Sequence, residues 1–322
     1  MLFTKINENS FLTEAGRIDL PDNDVQKHLH KRNEYKMGKL EGKIALVGGN
    51  LGKIKKEKFK MGLGGAIAKQ LKDDGAQVII FDLDYKISEA CATAIGGSIK
   101  AMECDIMKDR EYRTEPYIDH RGNEKTNVIW TDNPALKMVE SIVQEFGRID
   151  IVVSNFDRFE KARLDSTTVE LFDTIRDYNI TPMFHLLAAV REQLSKQTKA
   201  DGTFAKIVLM TSMVGKAGMS IGTIYAAFKA GTVALTKSLG KEFGRFANVN
   251  GVAIGPLAEK KMQGPREKIK SAFMVTQTAM GSLPTTFAKI TPLVGFLASD
   301  GAVGINGQII SVDGGLWLKL EQ

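Results

Sequence analysis

The stretch IALVGGNLGKIKKEKFKMGLGGAIAKQLKDDGAQVIIFDLD, residues 44–84, decides the fold. Its first segment, IALVGG, is an unbroken apolar run, which predicts a buried strand. GLGGAIAKQLKDDG, residues 62–75, carries apolar residues at helical spacing between glycines and predicts a helix. QVIIFDLD predicts a second strand. A strand, a glycine-rich turn and a helix in that order aim backbone N–H groups at one point, where a phosphate binds well. Gly49, Gly62 and Gly64 are the glycines expected at a dinucleotide pyrophosphate, with Asn50, Leu51 and Leu63 beside them. Asp82, followed by Leu83, stands where an acid accepts hydrogen bonds from the adenosine ribose hydroxyls.

The same alternation continues beyond this stretch. SIKAMECD, IDIVVSN, KIVLMTS, NVNGVAIG and QIISVDGG read as strands. NPALKMVESIVQEFG, TVELFDTIRDYNITPMFHLLAAVREQL and a segment from about Ile221 read as helices, the second as one long helix. Further helices are expected between Ala258 and Ser299. Strands alternating with helices predict an α/β fold: a single-domain, Rossmann-type, doubly wound parallel sheet with helices on both faces. It spans residues 40–322. Residues 1–39 read as a polar extension outside the core, with a short helix after Asp22.

Two insertions interrupt the pattern. KIKKEKFKM, residues 53–61, puts five lysines inside the phosphate turn. It either reaches a phosphate or forms a surface hairpin. The polar segment 108–132 lengthens the link between the third strand and the next helix, and brings Tyr112, Tyr117, His120 and Trp130.

Composition bounds the function. The chain has 322 residues, 43% hydrophobic and 25% charged, the profile of a globular protein with a sizeable core. Cys91 and Cys104 are too few for a disulfide framework and suggest a reducing, cytoplasmic setting. The four histidines lack metal-site spacing, so no metal is expected. The first residues lack a signal-peptide core, and no apolar run reaches the ~18 residues that a membrane span needs. The net charge of +6 concentrates in KHLHKRNEYKMGK (27–39) and in the insertion at 53–61. Neither run interleaves aromatics as a single-strand binder does, so nucleic acid is not the expected partner.

The chemistry centres on TSMVGKAGMSIGTIYAAFKAG, residues 211–231. Tyr225 and Lys229 are four apart and share a helix face. A fixed ammonium favours the phenolate and is expected to lower the tyrosine pKa. Ser212, on the preceding strand end, can hold a substrate oxygen. Spacing alone proves little: Tyr35 and Lys39 repeat it without a serine thirteen residues before, where Asp22 stands.

Joined to the phosphate turn, these residues resemble the short-chain dehydrogenase/reductase family over about Leu40 to Trp317. The resemblance implies a catalytic set of Asn179, Ser212, Tyr225 and Lys229, with Asn179 holding a water that relays protons from Lys229. It implies a nicotinamide cofactor held by Gly49, Asn50, Leu51, Gly62, Leu63, Asp82, Leu83, Asp105, Ile106, Asn155, Tyr225, Lys229, Gly255 and Pro256. The carboxylate of Asp82 favours NAD, and the inserted lysines leave NADP as the alternative. The ending FLASDGAVGINGQIISVDGG is similar to the family's last helix and strand. The chain also departs from the family. Gly48 replaces a threonine, the NNAG segment reads Ser154, Asn155, Phe156 and Asp157, and no carboxamide-binding threonine is evident in LAEKK.

The resemblance implies hydride transfer between the cofactor and a ketone or secondary alcohol. An apolar ketone or a 3-oxoacyl/3-hydroxyacyl thioester suits a pocket walled by Met213, Val214, Phe156 and Phe159. The resemblance implies a substrate lid around 258–285, to which Met262, Phe273, Met274 and Met280 bring apolar surface and Lys260, Lys261, Arg266, Lys268 and Lys270 bring charge that suits an anionic carrier. A homodimer or homotetramer is expected. The altered cofactor segment keeps open an alternative, a non-catalytic subunit of this fold paired with an active homologue.

Overall fold

The computed structural model describes residues 4–7, 10–13, 16–19, 40–107, 111–118, 122–257, 279–280, 285–316 and 318. Two compact units are present, Met1–Met37 and Gly38–Gln322. The first contains strands β1 (Thr4–Asn7), β2 (Ser10–Thr13) and β3 (Gly16–Asp19). They form an antiparallel meander in that order. The extension thus has sheet structure, which its polar composition concealed. The helix expected after Asp22 lies outside the described residues, as do 258–278 of the lid.

The second unit is built on seven parallel strands in the order β14-β13-β12-β11-β4-β7-β8. These are β4 (Ile44–Gly48), β7 (Gln77–Asp82), β8 (Lys100–Glu103), β11 (Ile151–Ser154), β12 (Ala205–Ser212), β13 (Ala247–Ile254) and β14 (Ile309–Val312). Alternate residues feed two separate cores. Leu46, Ile79, Val152, Ile207 and Leu209 face one side, against Val139 and Ile142 of helix α3 (Pro134–Phe146) and Leu186 and Val190 of α5 (Thr181–Asp201). Val47, Ile80, Val153, Val208 and Met210 face the other, against Ile67 and Leu71 of α1 (Leu63–Asp73) and Val294 and Leu297 of α8 (Phe287–Ala298). Burial on both faces is why these strands read as apolar runs rather than alternations. The chain leaves β4 to one side through β7 and reaches its other neighbour, β11, only later. That reversal opens a crevice at the strands' carboxyl ends, the place where open α/β sheets take ligands.

Both insertions are hairpins. Strands β5 (Gly52–Lys55) and β6 (Lys58–Met61) pair antiparallel, and Gly62 N–H donates to Leu51 O at 2.8 Å beneath them. The insertion therefore closes on itself, and the phosphate turn below it keeps its tight form. Residues 111–132 hold β9 (Glu111–Ile118) and β10 (Glu124–Asp132), paired antiparallel, where a polar link was expected.

The long helix is a further correction. It is two helices, α4 (Val169–Asn179) and α5, broken at Ile180 with φ −117° and ψ −39°. Pro182 lacks an N–H, and its ring crowds a carbonyl one turn back, which favours a break just before it. The buried Asn179 side chain occupies the break. Its amide donates to Ile175 O at 2.7 Å and to Arg158 O at 2.9 Å.

Candidate active site

Two cavities open at the crevice. One, of about 420 Å³, is lined by Ser212, Tyr225 and Lys229, by Asn155, and by the apolar Phe159, Met210, Met213, Val214, Met219 and Leu257. The other, of about 400 Å³, is lined by Gly49, Asp82, Leu83, Asp105, Ile106, Phe156 and Asp177. Asn50 and Asp157 line both and form the neck between them.

The second cavity fits the adenosine half of a dinucleotide. It lies beside the turn between β4 and α1, whose first residue follows Gly62, a cap without a side-chain hydrogen bond. A Cβ on Gly64 would stand 2.1 Å from Gly49 O, so only glycine lets α1 start this close to the turn. Gly49 has φ +89° and Asn50 φ +51°, left-handed positions that suit glycine and asparagine. Asp82 sits at the end of β7, and the Asp84 N–H donates to its carboxylate at 3.2 Å. Burial raises the Asp82 pKa, and the backbone donors of Asp84 and Leu83 pull it partly back. Asp105 accepts from Met107 N–H at 3.0 Å in a tight turn.

Four of the predicted cofactor positions line only the adenosine cavity besides Gly49: Asp82, Leu83, Asp105 and Ile106. Leu63, Asn155, Tyr225, Lys229, Gly255 and Pro256 line the first cavity. Leu51 and Gly62 line neither: the Leu51 side chain is in the core, and Gly62 closes the hairpin. The Phe156 ring was expected in the substrate wall. It lies on the adenosine side instead, 6.1 Å from the Phe81 ring. A Cβ on Gly48 would meet Phe81 at 2.3 Å and Phe156 at 3.2 Å. The loss of the family's threonine at Gly48 and the gain of Phe156 are thus one packing change.

Ser212, Tyr225 and Lys229, the expected catalytic trio, line one cavity together. Tyr225 and Lys229 lie on α7 (Thr223–Glu242), buried at 7% and 1% exposure. Thr211 Oγ1 donates to Lys229 O at 2.9 Å and ties the helix to β12. Ser212 ends that strand near the Tyr225 hydroxyl, and of the neighbouring groups it is the one that lowers the phenol pKa. The Phe159 ring meets the Tyr225 ring edge-on at 5.1 Å.

One residue changes the electrostatics. The Tyr225 hydroxyl donates to Asp157 Oδ1 at 2.8 Å, and Lys229 Nζ stands 2.8 Å from the same oxygen. Lys229 also donates to Phe156 O at 3.1 Å. The expected lowering of the tyrosine pKa is therefore reversed. Burial raises it first, and the Asp157 charge and hydrogen bond raise it further, outweighing Ser212. Asn179 lines neither cavity, and its carboxamide oxygen accepts from Arg158 N–H at 3.3 Å. With both amide donations made as well, its side chain anchors the segment that carries Asp157.

Comparison with known proteins identifies the family. The family model described as enoyl-(acyl carrier protein) reductase matches residues 130–317. A 3-oxoacyl-[acyl-carrier-protein] reductase of Thermotoga maritima is 30% identical over 291 residues, covering 86% of this chain and 99% of that protein. Galactitol 2-dehydrogenase of Agrobacterium fabrum is 28% identical over 293 residues, 87% of this chain and 100% of the relative. Among solved structures, a putative short-chain alcohol dehydrogenase from Sinorhizobium meliloti 1021 superposes with a TM-score of 0.67 at 21% identity. That superposition covers 88% of this chain and 99% of the other, and it shows the shared fold.

Proposed function

This chain belongs to the short-chain dehydrogenase/reductase family, and from that premise we propose that Ser212, Tyr225 and Lys229 move a proton at a carbonyl or carbinol oxygen. The protein is an NAD(P)-dependent oxidoreductase acting on CH–OH groups. A bound nicotinamide supplies or accepts the hydride. The observation that carries the residue assignment is the convergence of the trio on one wall of a cavity at the strands' carboxyl ends.

Ser212 orients the substrate oxygen and stabilises charge on it. Tyr225 gives that oxygen its proton in reduction and removes it in oxidation. Lys229 holds the tyrosine side of the site positive and would contact the nicotinamide ribose. Burial keeps the Tyr225 phenol protonated, so the resting site is loaded as an acid. Asn179, in this reading, supports the site from the helix break.

NAD is the cofactor that the adenosine cavity favours. Asp82, Asp105, Asp157 and Asp177 line it, with no lysine or arginine among its described lining residues. A 2′-phosphate would meet that field unpaired. The substrate cavity is walled by methionine, valine, leucine and phenylalanine, which suits a ketone on an acyl chain, such as a 3-oxoacyl thioester, over a polyol. Exposed Phe172, Tyr178 and Phe184 on α4 and α5 support a homo-oligomer built on these helices.

Tyr225→Phe should lower kcat for a 3-oxoacyl thioester by about 100-fold or more while NADH still binds, as loss of a general acid does. Full turnover by that variant would overturn the assignment. The Asp157 contact favours a second reading, a non-catalytic subunit paired with an active homologue. Failure to bind NADH, read by nicotinamide fluorescence, would support it.

A further inference from the structure

We propose that Asp157 is a latch: it holds Tyr225 and Lys229 in the unliganded protein, and the nicotinamide half of the cofactor must displace it to reach them. The inference rests on the nicotinamide reading above and adds a residue that the family pattern does not contain.

The geometry carries it. A dinucleotide filling both cavities has to pass the neck, and Asp157 and Asn50 are the two residues common to both linings. One carboxylate oxygen engages the phenol and the ammonium together, each at 2.8 Å. The hydroxyl that would face a substrate oxygen, and the ammonium that would face a ribose, are thereby already partnered. The cofactor's own phosphates are anionic, so the Asp157 charge also opposes their approach.

Its neighbours dictate how the latch opens. Phe156 is wedged beside Phe81, and its carbonyl accepts from Lys229. Arg158 is held on the other side by two hydrogen bonds with Asn179, and its guanidinium by Glu160. With both flanking residues tied, release comes from rotation of the Asp157 side chain, which is 36% exposed and has room to turn outward. Lys229 is 2% exposed in the same pair, so the buried partner stays and the carboxylate leaves.

A closed latch taxes binding by the fraction of molecules that are open. Two ligands separate that tax from other effects. NADH spans both cavities, whereas AMP occupies only the adenosine cavity. Dissociation constants for both should be measured on the wild type, Asp157→Asn and Asp157→Gly, with near-UV circular dichroism confirming that each is folded. The expected result is NADH bound about tenfold tighter by both variants, the gain for a site otherwise open a tenth of the time, with AMP, which feels only the lost charge, gaining clearly less. Equal tightening for NADH and AMP would show a general charge effect and overturn the latch. Unchanged or weaker NADH binding would overturn it too, leaving the nicotinamide reading intact. Absence of NADH binding by folded wild type and variants alike would sink both.

Discussion

Asp82 shows how far one side chain can set a preference. Its carboxylate is partly buried at the end of β7, and its raised pKa records an unfavourable setting for charge in the unliganded protein. A carboxylate whose folded pKa is raised contributes stability below its unfolded value, near ~4, and loses it as pH rises through the folded value. At neutral pH the charge is therefore a cost, which in the proposed reading a bound ribose diol would offset by donating hydrogen bonds. Asp82→Asn should raise the thermal midpoint of the unliganded protein at pH 7 and narrow its selectivity for NADH over NADPH by about tenfold, the equivalent of one lost charge repulsion. A lower midpoint, or unchanged selectivity in paired titrations, would count against it. The places of Asp82, Ser212, Tyr225 and Lys229 at the crevice were legible in the sequence because strand ends and helix spacing, joined to the family resemblance, fix them. The role of Asp157 was not, because its contact with Tyr225 spans 68 residues and no local pattern announces it.

Breaks within elements matter as much as the elements. The α4–α5 junction was hidden inside one apolar periodicity that runs through both helices. Pro182 marked the break, and Asn179 beside it ties the end of α4 to the Arg158 segment through its amide. Asn179→Ala leaves the Arg158 N–H and two carbonyls without that partner, so urea denaturation should show a loss of about 1–3 kcal/mol. The same substitution loosens the segment just after Asp157. If stability is unaltered, the anchoring role assigned to Asn179 is wrong. The strands and most helices could be read because each feeds one of two cores with strict periodicity. The β9–β10 hairpin could not, since its described side chains, residues 113–118 and 122–126, are exposed and its polarity looks like a loop.

At the scale of the whole molecule, the two-faced sheet buries both cysteines, which remain free thiols. Burial pushes each up to about 12, helped by Asp82 near Cys91 and by Asp105 near Cys104. A raised thiol pKa contributes stability that is complete below the unfolded value of ~8.5 and is lost as pH climbs towards the folded one. The melting temperature should thus fall as pH rises from about 9 towards 11, and a Cys91→Ala, Cys104→Ala double variant should show a shallower fall. Equal slopes would assign the alkaline loss to other groups. Among the described residues no helix is long and apolar enough to cross a membrane.

The self-closing β5–β6 hairpin has one more consequence. Its two ends meet at the Gly52–Met61 pair, and the Leu51–Gly62 hydrogen bond seals the turn below. Replacing the exposed tip, Lys55 to Lys58, while keeping Phe59 against the core, should therefore leave the turn below in register. The tip is a splice point, at which a foreign peptide, a fluorophore tag or a second recognition loop can be grafted without rebuilding the fold.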